Sequence, residues 1–404
     1  MNEFPKPIRV LIDQPALPHY RLAVFRELAA REGIELTVRY GKEPGLDNVD
    51  PDGFTGQYAE TKYYSVRGKK LCTRSPDLVE IAGSKAYDCI IFSWASRNIS
   101  LVPALRKARK ANTATVLWGH GFSKNESPWS FWLRNRIGKR GDALLLYSKS
   151  TADQLGSHGI DTQKLFTATN CMDLSSVAEE KKRWLNNPGA LMDFKKSVNI
   201  GEEDPVLLFV SRVSRENGID RLLLSLSALV NQYPAITLVI IGNVPAAERH
   251  RLDKISGELN IDSHIRWMGP IYDESELAPW FLSSTIFCYP KNIGLSLHHA
   301  MAYGLPVLTS DDSRIQNPEF EAIQHDVNAV TYCETDLHSM TKELTRLIED
   351  RERRARIGTE AERTMLEEIT VPRMVDGFVA AIYYAMNQRR VATKRKIEQE
   401  SGPI

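Results

Sequence analysis

The stretch Tyr289-Pro290-Lys291-Asn292-Ile293-Gly294-Leu295-Ser296-Leu297-His298-His299-Ala300-Met301-Ala302-Tyr303-Gly304-Leu305-Pro306-Val307 holds the residue types of an anion site. An apolar run ends at Tyr289-Pro290, a loop with Gly294 follows, and a helix is predicted to start near Leu295. The free N–H groups of such a helix start, with its positive dipole end, suit a phosphate or diphosphate. Gly294 and Ser296 are small enough to let a phosphate approach the backbone, while Gly304 reads as a C-terminal cap and Pro306 prevents continuation. A second stretch, 208–220, sets Arg212 directly after a buried strand, where a guanidinium can pair with phosphate oxygens in bidentate fashion. Each stretch alone also fits a plain structural role, a strand–helix–strand unit or a surface arginine. Together, at adjacent strand ends, they point to a nucleoside diphosphate site.

Other residues offer chemistry of a different kind. His120 stands at the carboxyl end of a predicted strand, and His19 and Tyr20 lie in the link between the first strand and its helix. Glu319 and Glu321 open a segment where a helix-start acid is an equally good reading. Asp50-Pro51-Asp52 has the Asp-x-Asp form of a metal motif but sits among turn formers and reads as a solvated turn. His298 and His299, adjacent on a helix, point in different directions, unlike an i, i+4 chelate. A helix dipole plus Arg212 can neutralise a leaving diphosphate, so neither metal nor cofactor is expected. The five cysteines form no CxxC pair and read as reduced thiols of a cytosolic protein, with Cys89 and Cys288 inside apolar runs of the core.

The elements that must position these groups follow from periodicity. At 404 residues the chain suits two α/β domains. A formal charge of +1 gives no electrostatic case for nucleic acid. No apolar run approaches the ~18–20 residues of a membrane span, and residues 1–7 lack the layout of a signal peptide. Apolar runs at 8–12, 34–40, 89–94, 114–118 and 143–147 predict strands, with helices at 20–32, 101–110, 128–139 and 151–157. A second series puts strands at 206–210, 236–241, 264–268, 286–289, 306–309 and 329–332, with helices at 220–233, 246–259, 274–282 and 295–303. The end, 336–363 and 371–396, is helical and charged. Strands alternating with helices give parallel sheets covered on both faces. The expected architecture is an N-terminal domain 1–174, a polar linker 175–203 and a C-terminal domain 204–371, with a terminal helix 372–404 returning to the first domain. The two doubly wound, Rossmann-like domains would face each other across a shared cleft.

The second half resembles family 4 of the retaining nucleotide-sugar glycosyltransferases, the group 1 transferases. Gly294, Ala300-Met301-Ala302, Gly304 and Pro306-Val307 match the family's signature helix. Arg212 through Gly218 resembles its arginine–lysine phosphate pair, 238–243 its strand and glycine turn ending at Gly242, and Arg266 through Pro270 the loop bordering the nucleotide base. Residues 316–321, with Glu319, resemble its proline–glutamate turn. The resemblance is specific from about 206 to 330. It implies the GT-B fold, with Arg212, Asn217, Gly242, Pro270, Lys291, Gly294, Leu295, Ser296 and His299 on the donor. It also implies that His120 stands against the donor sugar, and that His19, Tyr20 and Glu319 face the acceptor or cleft, although the first loop lacks the glycine pair many members carry. Three positions depart. The two family glutamates, seven residues apart, fall on Lys291 and His299, and the family lysine falls on Asn217. His299 can still offer one hydrogen bond to a ribose hydroxyl, and Lys291 is expected to restore the charge missing at Asn217.

What the resemblance implies is a transferase moving a sugar, with retention, from a nucleoside diphosphate sugar to a glycan or lipid-linked saccharide in cell-surface polysaccharide synthesis. A GT-B-type sugar-nucleotide epimerase and a non-catalytic nucleotide-sugar-binding partner stay open as alternatives. Trp129, Phe131, Trp132, Arg134, Arg136, Lys139 and Arg140 would let the helix at 128–139 rest on the inner face of an anionic cytoplasmic membrane, unless its aromatics are buried in the domain core.

Overall fold

Short, almost wholly apolar runs become the central strands, because strands covered by helices on both faces cannot alternate polar with apolar residues. The computed structural model describes residues 6–66, 69–122 and 127–400, so residues 1–5 of the segment read for a signal layout lie outside it. Two units emerge: Met1–Met172 with Val371–Ile404, and Asp173–Thr370.

The first unit contains β1 (Ile8–Gln14), α1 (Leu22–Ala29), β2 (Ile34–Tyr40), β3 (Thr55–Tyr58), β4 (Lys62–Val66), β5 (Lys69–Arg74) and α2 (Leu78–Gly83). Next come β6 (Cys89–Ser93), α3 (Leu101–Ala111), β7 (Ala114–Gly119), α4 (Pro128–Gly138), β8 (Ala143–Leu146), α5 (Lys149–Ser157) and β9 (Leu165–Thr167). Seven strands form a parallel sheet in the order β3-β2-β1-β6-β7-β8-β9, and β4 with β5 make a separate antiparallel pair. In α4, Trp129, Trp132 and Arg136 are exposed, as is Lys139 just after its end. Phe131 instead stacks on Phe122 at 5.2 Å and Arg134 is buried, so these two leave that surface. Asp52 pairs with Arg26 rather than standing ready for a metal.

The second unit contains α6 (Ser175–Leu185), α7 (Pro188–Ser197), β10 (Val206–Val210), α8 (Ile219–Leu229), β11 (Thr237–Ile241), α9 (Ala246–Glu258) and β12 (Ile265–Gly269). It continues with α10 (Glu274–Ser283), β13 (Ile286–Cys288), α11 (Ser296–Ala302), β14 (Val307–Ser310), β15 (Val330–Tyr332), α12 (Leu337–Glu349) and α13 (Arg351–Glu367). The segment 175–203, expected as a linker, is helical and packs into this unit. Val177 is buried, Trp184 meets Phe194 edge-on at 6.2 Å, and Phe194 meets Trp280 at 5.0 Å. Its charged run is the solvent face of an amphipathic helix. Six parallel strands follow the order β12-β11-β10-β13-β14-β15.

The last helix, α14 (Val371–Glu400), belongs to the first unit. Gly377 lets it lie close, since a Cβ there would fall 2.1 Å from the Thr167 carbonyl oxygen, and Phe378 meets Trp118 edge-on at 4.7 Å.

One core residue makes a pH prediction. His298 in α11 is 1% exposed, and neither ring nitrogen has a hydrogen-bond partner among the described residues. Burial drives it down from 6.5 to about 4. Between these values the unfolded chain binds a proton that the folded chain does not, so stability is full above pH 6.5 and falls toward pH 4, by up to ~3 kcal/mol. Urea unfolding of the protein and of His298→Gln, compared across this window, cancels every other titrating group. The variant should lose the part of the slope that His298 contributes.

Candidate functional site

Chain connections run outward in opposite directions from β10 and β13, so these neighbours mark the switch point of the second sheet, where open parallel sheets leave a crevice past their carboxyl ends. Arg212 follows β10 there. It is exposed, and its guanidinium donates to no carboxylate among the described residues. Gly242 follows β11, Pro270 follows β12, and Lys291, Gly294, Leu295 and Ser296 follow β13. Glu319 lies beyond β14 in the 3-10 turn Pro318–Ala322 and is 6% exposed. One end of one sheet therefore collects every second-unit candidate except His299, which lies within α11.

The loop before α11 is held from below. Asn292 takes a φ of +60°. The Ile293 N–H donates to Gln316 Oε1 at 2.8 Å, and Asn317 Nδ2 donates to the Asn292 carbonyl at 3.0 Å. Gln316 is buried and anchored in turn to Thr309 Oγ1 and the Ser310 carbonyl. A Cβ on Gly294 would meet only Asn317 Nδ2, at 3.5 Å, so the loop is open on its other side.

The three departing positions have definite partners. Asn217 is buried and builds a capping box: its Oδ1 accepts from the Ser214 N–H at 2.7 Å and hydroxyl at 2.9 Å. Its Nδ2 donates to the Tyr289 hydroxyl at 3.0 Å, which donates to Ser211 Oγ at 3.2 Å. Asn217 thus shapes the turn beside Arg212. Burial raises the Tyr289 hydroxyl above its usual range and Glu319 adds to the rise, against the Ser211 hydrogen bond and Arg212. Lys291 donates its backbone N–H to the Asn217 carbonyl at 3.0 Å, and its ammonium meets Glu334 Oε1 at 2.6 Å. Arg221 reaches the same oxygen at 3.1 Å, so two cations share one carboxylate. His299 Nε2 lies 2.9 Å from Glu274 Oε1, which also accepts from the Tyr303 hydroxyl at 2.6 Å, and the imidazole stacks on Phe281 at 4.6 Å. Burial alone would raise the Glu274 carboxyl, but His299 and Tyr303 outweigh it and hold it below the usual carboxylate range.

In the first unit His19 and Tyr20 follow β1, and His120 follows β7, all at carboxyl ends of that sheet. The His120 ring rests on Tyr147 at 4.7 Å. Sequence reasoning missed Arg21, which organises this corner. It is 7% exposed, donates to Asn170 Oδ1 at 3.1 Å and to the Tyr147 hydroxyl at 3.0 Å, and lies over the Trp118 ring at 4.7 Å. Its place directly after His19-Tyr20 was the available signal. Tyr289, Gln316, Glu274 and Glu334 were also missed as partners.

Residues 192–364, within the second unit, match the family described as glycosyl transferases group 1. The chain is 21% identical over 334 residues to the GDP-mannose-dependent alpha-(1-6)-phosphatidylinositol monomannoside mannosyltransferase of Mycolicibacterium smegmatis, covering 80% of this chain and 84% of that one. Among solved structures it resembles Anabaena Alr3699/HepE in complex with UDP, with a TM-score of 0.70 at 14% identity over 92% of this chain and 98% of that one. It also resembles the sucrose-phosphate synthase of Thermosynechococcus elongatus, with a TM-score of 0.67 at 17% identity over 96% and 100%. The fold is GT-B, and these matches support a GT-B glycosyltransferase.

Proposed function

We propose that this protein transfers a hexose, with retention and without a metal, from a nucleoside diphosphate sugar to a glycan or lipid-linked saccharide during the assembly of cell-surface polysaccharide. The observation that carries the reading is a coincidence of place. The family match covers the unit in which Arg212 and the Lys291–Ser296 loop leave adjacent strands at the sheet's switch point. The mannosyltransferase relative and the UDP-bound neighbour support a nucleotide-sugar donor.

In this reading Arg212 takes the diphosphate through its guanidinium fork, and Gly294 and Ser296 let the phosphates approach backbone N–H groups. Stabilising the departing diphosphate is the main catalytic contribution, with positioning of the acceptor hydroxyl second. His120, held against Tyr147, orients the donor sugar, while His19, Tyr20 and Glu319 line the acceptor path. Asn217 acts by shaping the Arg212 turn. Gly242 and Pro270 border the nucleotide, and His299 offers the ribose one hydrogen bond while Glu274 steadies its ring. Lys291 adds positive charge as part of its shared pair on Glu334.

A second reading, a nucleotide-sugar-binding partner without turnover, is favoured by one observation: Lys291 and His299 both face internal carboxylates. Incubation with a panel of nucleotide sugars and saccharide acceptors, followed by mass spectrometry, separates the readings. A new glycoside supports transfer. An altered sugar without acceptor supports an epimerase, and binding without any product supports the second reading.

A further inference from the structure

Beside the loop that follows β13, one carboxylate holds two cations. Glu334 Oε1 receives the Lys291 ammonium at 2.6 Å and the Arg221 guanidinium at 3.1 Å. The Glu334 side chain is 14% exposed, against 25% and 26% for its partners. A carboxylate so withdrawn from water needs a counter-ion, and leaving it with none is costly. One cation meets that need, so the second is surplus to it. The other acids near Lys291 have their own partners. Asp312 lies close enough to feel the ammonium but is gripped by Arg314 at 2.8 Å, and the exposed Asp311 accepts the Glu334 backbone N–H at 3.0 Å.

The two cations are held differently. Arg221 also donates from Nη1 to the Glu334 carbonyl at 2.8 Å, so its planar fork grips the backbone and the side chain of one residue at once. Lys291 has a single point of attachment, at the end of a flexible four-carbon stem. Its main chain is fixed, with the N–H on the Asn217 carbonyl at 3.0 Å. The stem passes over Gly218, where a Cβ would stand 3.2 Å from the Lys291 Cγ and 3.3 Å from its Cδ. Lys291 thus joins the turn that begins at Arg212 to the loop after β13, the two strand exits of the switch point. Tyr332, whose hydroxyl donates to the Pro290 carbonyl at 3.0 Å, keeps the end of β15, and with it Glu334, beside this loop.

We propose that Glu334 and Arg221 act on the donor through Lys291, by setting how much of its charge a diphosphate receives. When a diphosphate arrives, the Lys291 ammonium exchanges the carboxylate for a phosphate oxygen. Arg221 stays behind, anchored at two points, and keeps Glu334 neutralised. Glu334 is therefore a competitor for Lys291, and Arg221 is the counter-ion of that competitor. Both are positioning residues. The exchange rests on the proposed donor site, and it gives the Lys291–Glu334 contact a use in a chain that turns over. A purely structural tie between α8, β13 and β15 predicts the opposite sign, because breaking it would loosen the loop and lower affinity.

The test is calorimetric titration of the full chain with UDP, GDP, dTDP and CDP, then of its variants with the nucleotide that binds. Glu334→Gln, which keeps the shape and removes the charge, should bind about three- to tenfold more tightly, and Arg221→Ala more weakly by a similar factor. Arg221→Ala/Glu334→Gln should regain at least the unaltered affinity, since no carboxylate then competes. Over Lys291→Ala, the Glu334→Gln change should bring less than half of its gain, which separates release of the ammonium from a general loss of negative charge. Equal or weaker binding by Glu334→Gln, or a gain at least half as large over Lys291→Ala, would overturn the exchange while the donor site stands. No nucleotide bound by the unaltered chain would remove the donor site and the exchange together. Glu334→Gln with and without Lys291 decides even if Arg221→Ala folds poorly.

Discussion

Gly242→Ala is expected to cost on the order of 3 kcal/mol of stability and to abolish nucleotide binding. A Cβ at this position would stand 1.9 Å from the Ser211 carbonyl oxygen and 2.6 Å from its carbon, with φ at +146°, a region that L side chains rarely adopt. Both contacts are to backbone, so no side chain can swing away. Ladder bonds on either side, from the Ser211 N–H to the Ile241 carbonyl at 3.0 Å and from the Val213 N–H to the Asn243 carbonyl at 2.9 Å, zip the two strand exits together. Relief must therefore come from moving 211–213, which carries Arg212 off its position. For a unit of this size the melting temperature should fall by roughly 6–12 °C. A variant that melts normally and still binds nucleotide would show that this close approach is not what aims Arg212.

Arg21→Ala is expected to destabilise the first unit by about 2–4 kcal/mol and to lower turnover while nucleotide binding in the second unit persists. The guanidinium lies against the Trp118 and Tyr147 rings, and its removal takes one hydrogen bond from each of the buried Asn170 and Tyr147 oxygens. Tyr147 supports the His120 ring, so the loss reaches His120 without touching it. Arg21→Lys keeps the charge but not the fork that serves both oxygens, and should recover only part of the loss. The check pairs thermal unfolding with donor binding and turnover on the same preparation. Turnover unchanged in Arg21→Ala would remove His120 from the account.

Much of the fold was legible because buried parallel strands are apolar without interruption. Strands at 34–40 and 206–210 have those limits, and the other predicted strands end within two residues of the observed ones. The unpredicted elements lack that signal. All of β3, Thr55–Tyr58, is exposed; β4 and β5 carry lysines and tyrosines; and α6 and α7 bury little besides Val177. In the candidate site Arg212 and the Lys291–Ser296 loop were readable because each directly follows an apolar strand. Their partners were not. Glu274 meets His299 across 25 positions and Asn217 meets Tyr289 across 72, distances at which only the folded sheet brings side chains together. Whole-chain charge hides a contrast, since opposite excesses in two units cancel in a sum.

The donor site at the β10–β13 switch point is the central claim, and calorimetric titration of UDP, GDP, dTDP and CDP into the unaltered chain and Arg212→Ala tests it most directly. One nucleotide should bind the unaltered chain, and loss of a charged hydrogen-bond pair should weaken it by about ten- to a hundredfold in the variant. The melting temperature of the unliganded variant should stay where it was, because Arg212 is exposed and supports no carboxylate. No binding by any nucleotide, or equal binding with and without the Arg212 guanidinium, would contradict the account.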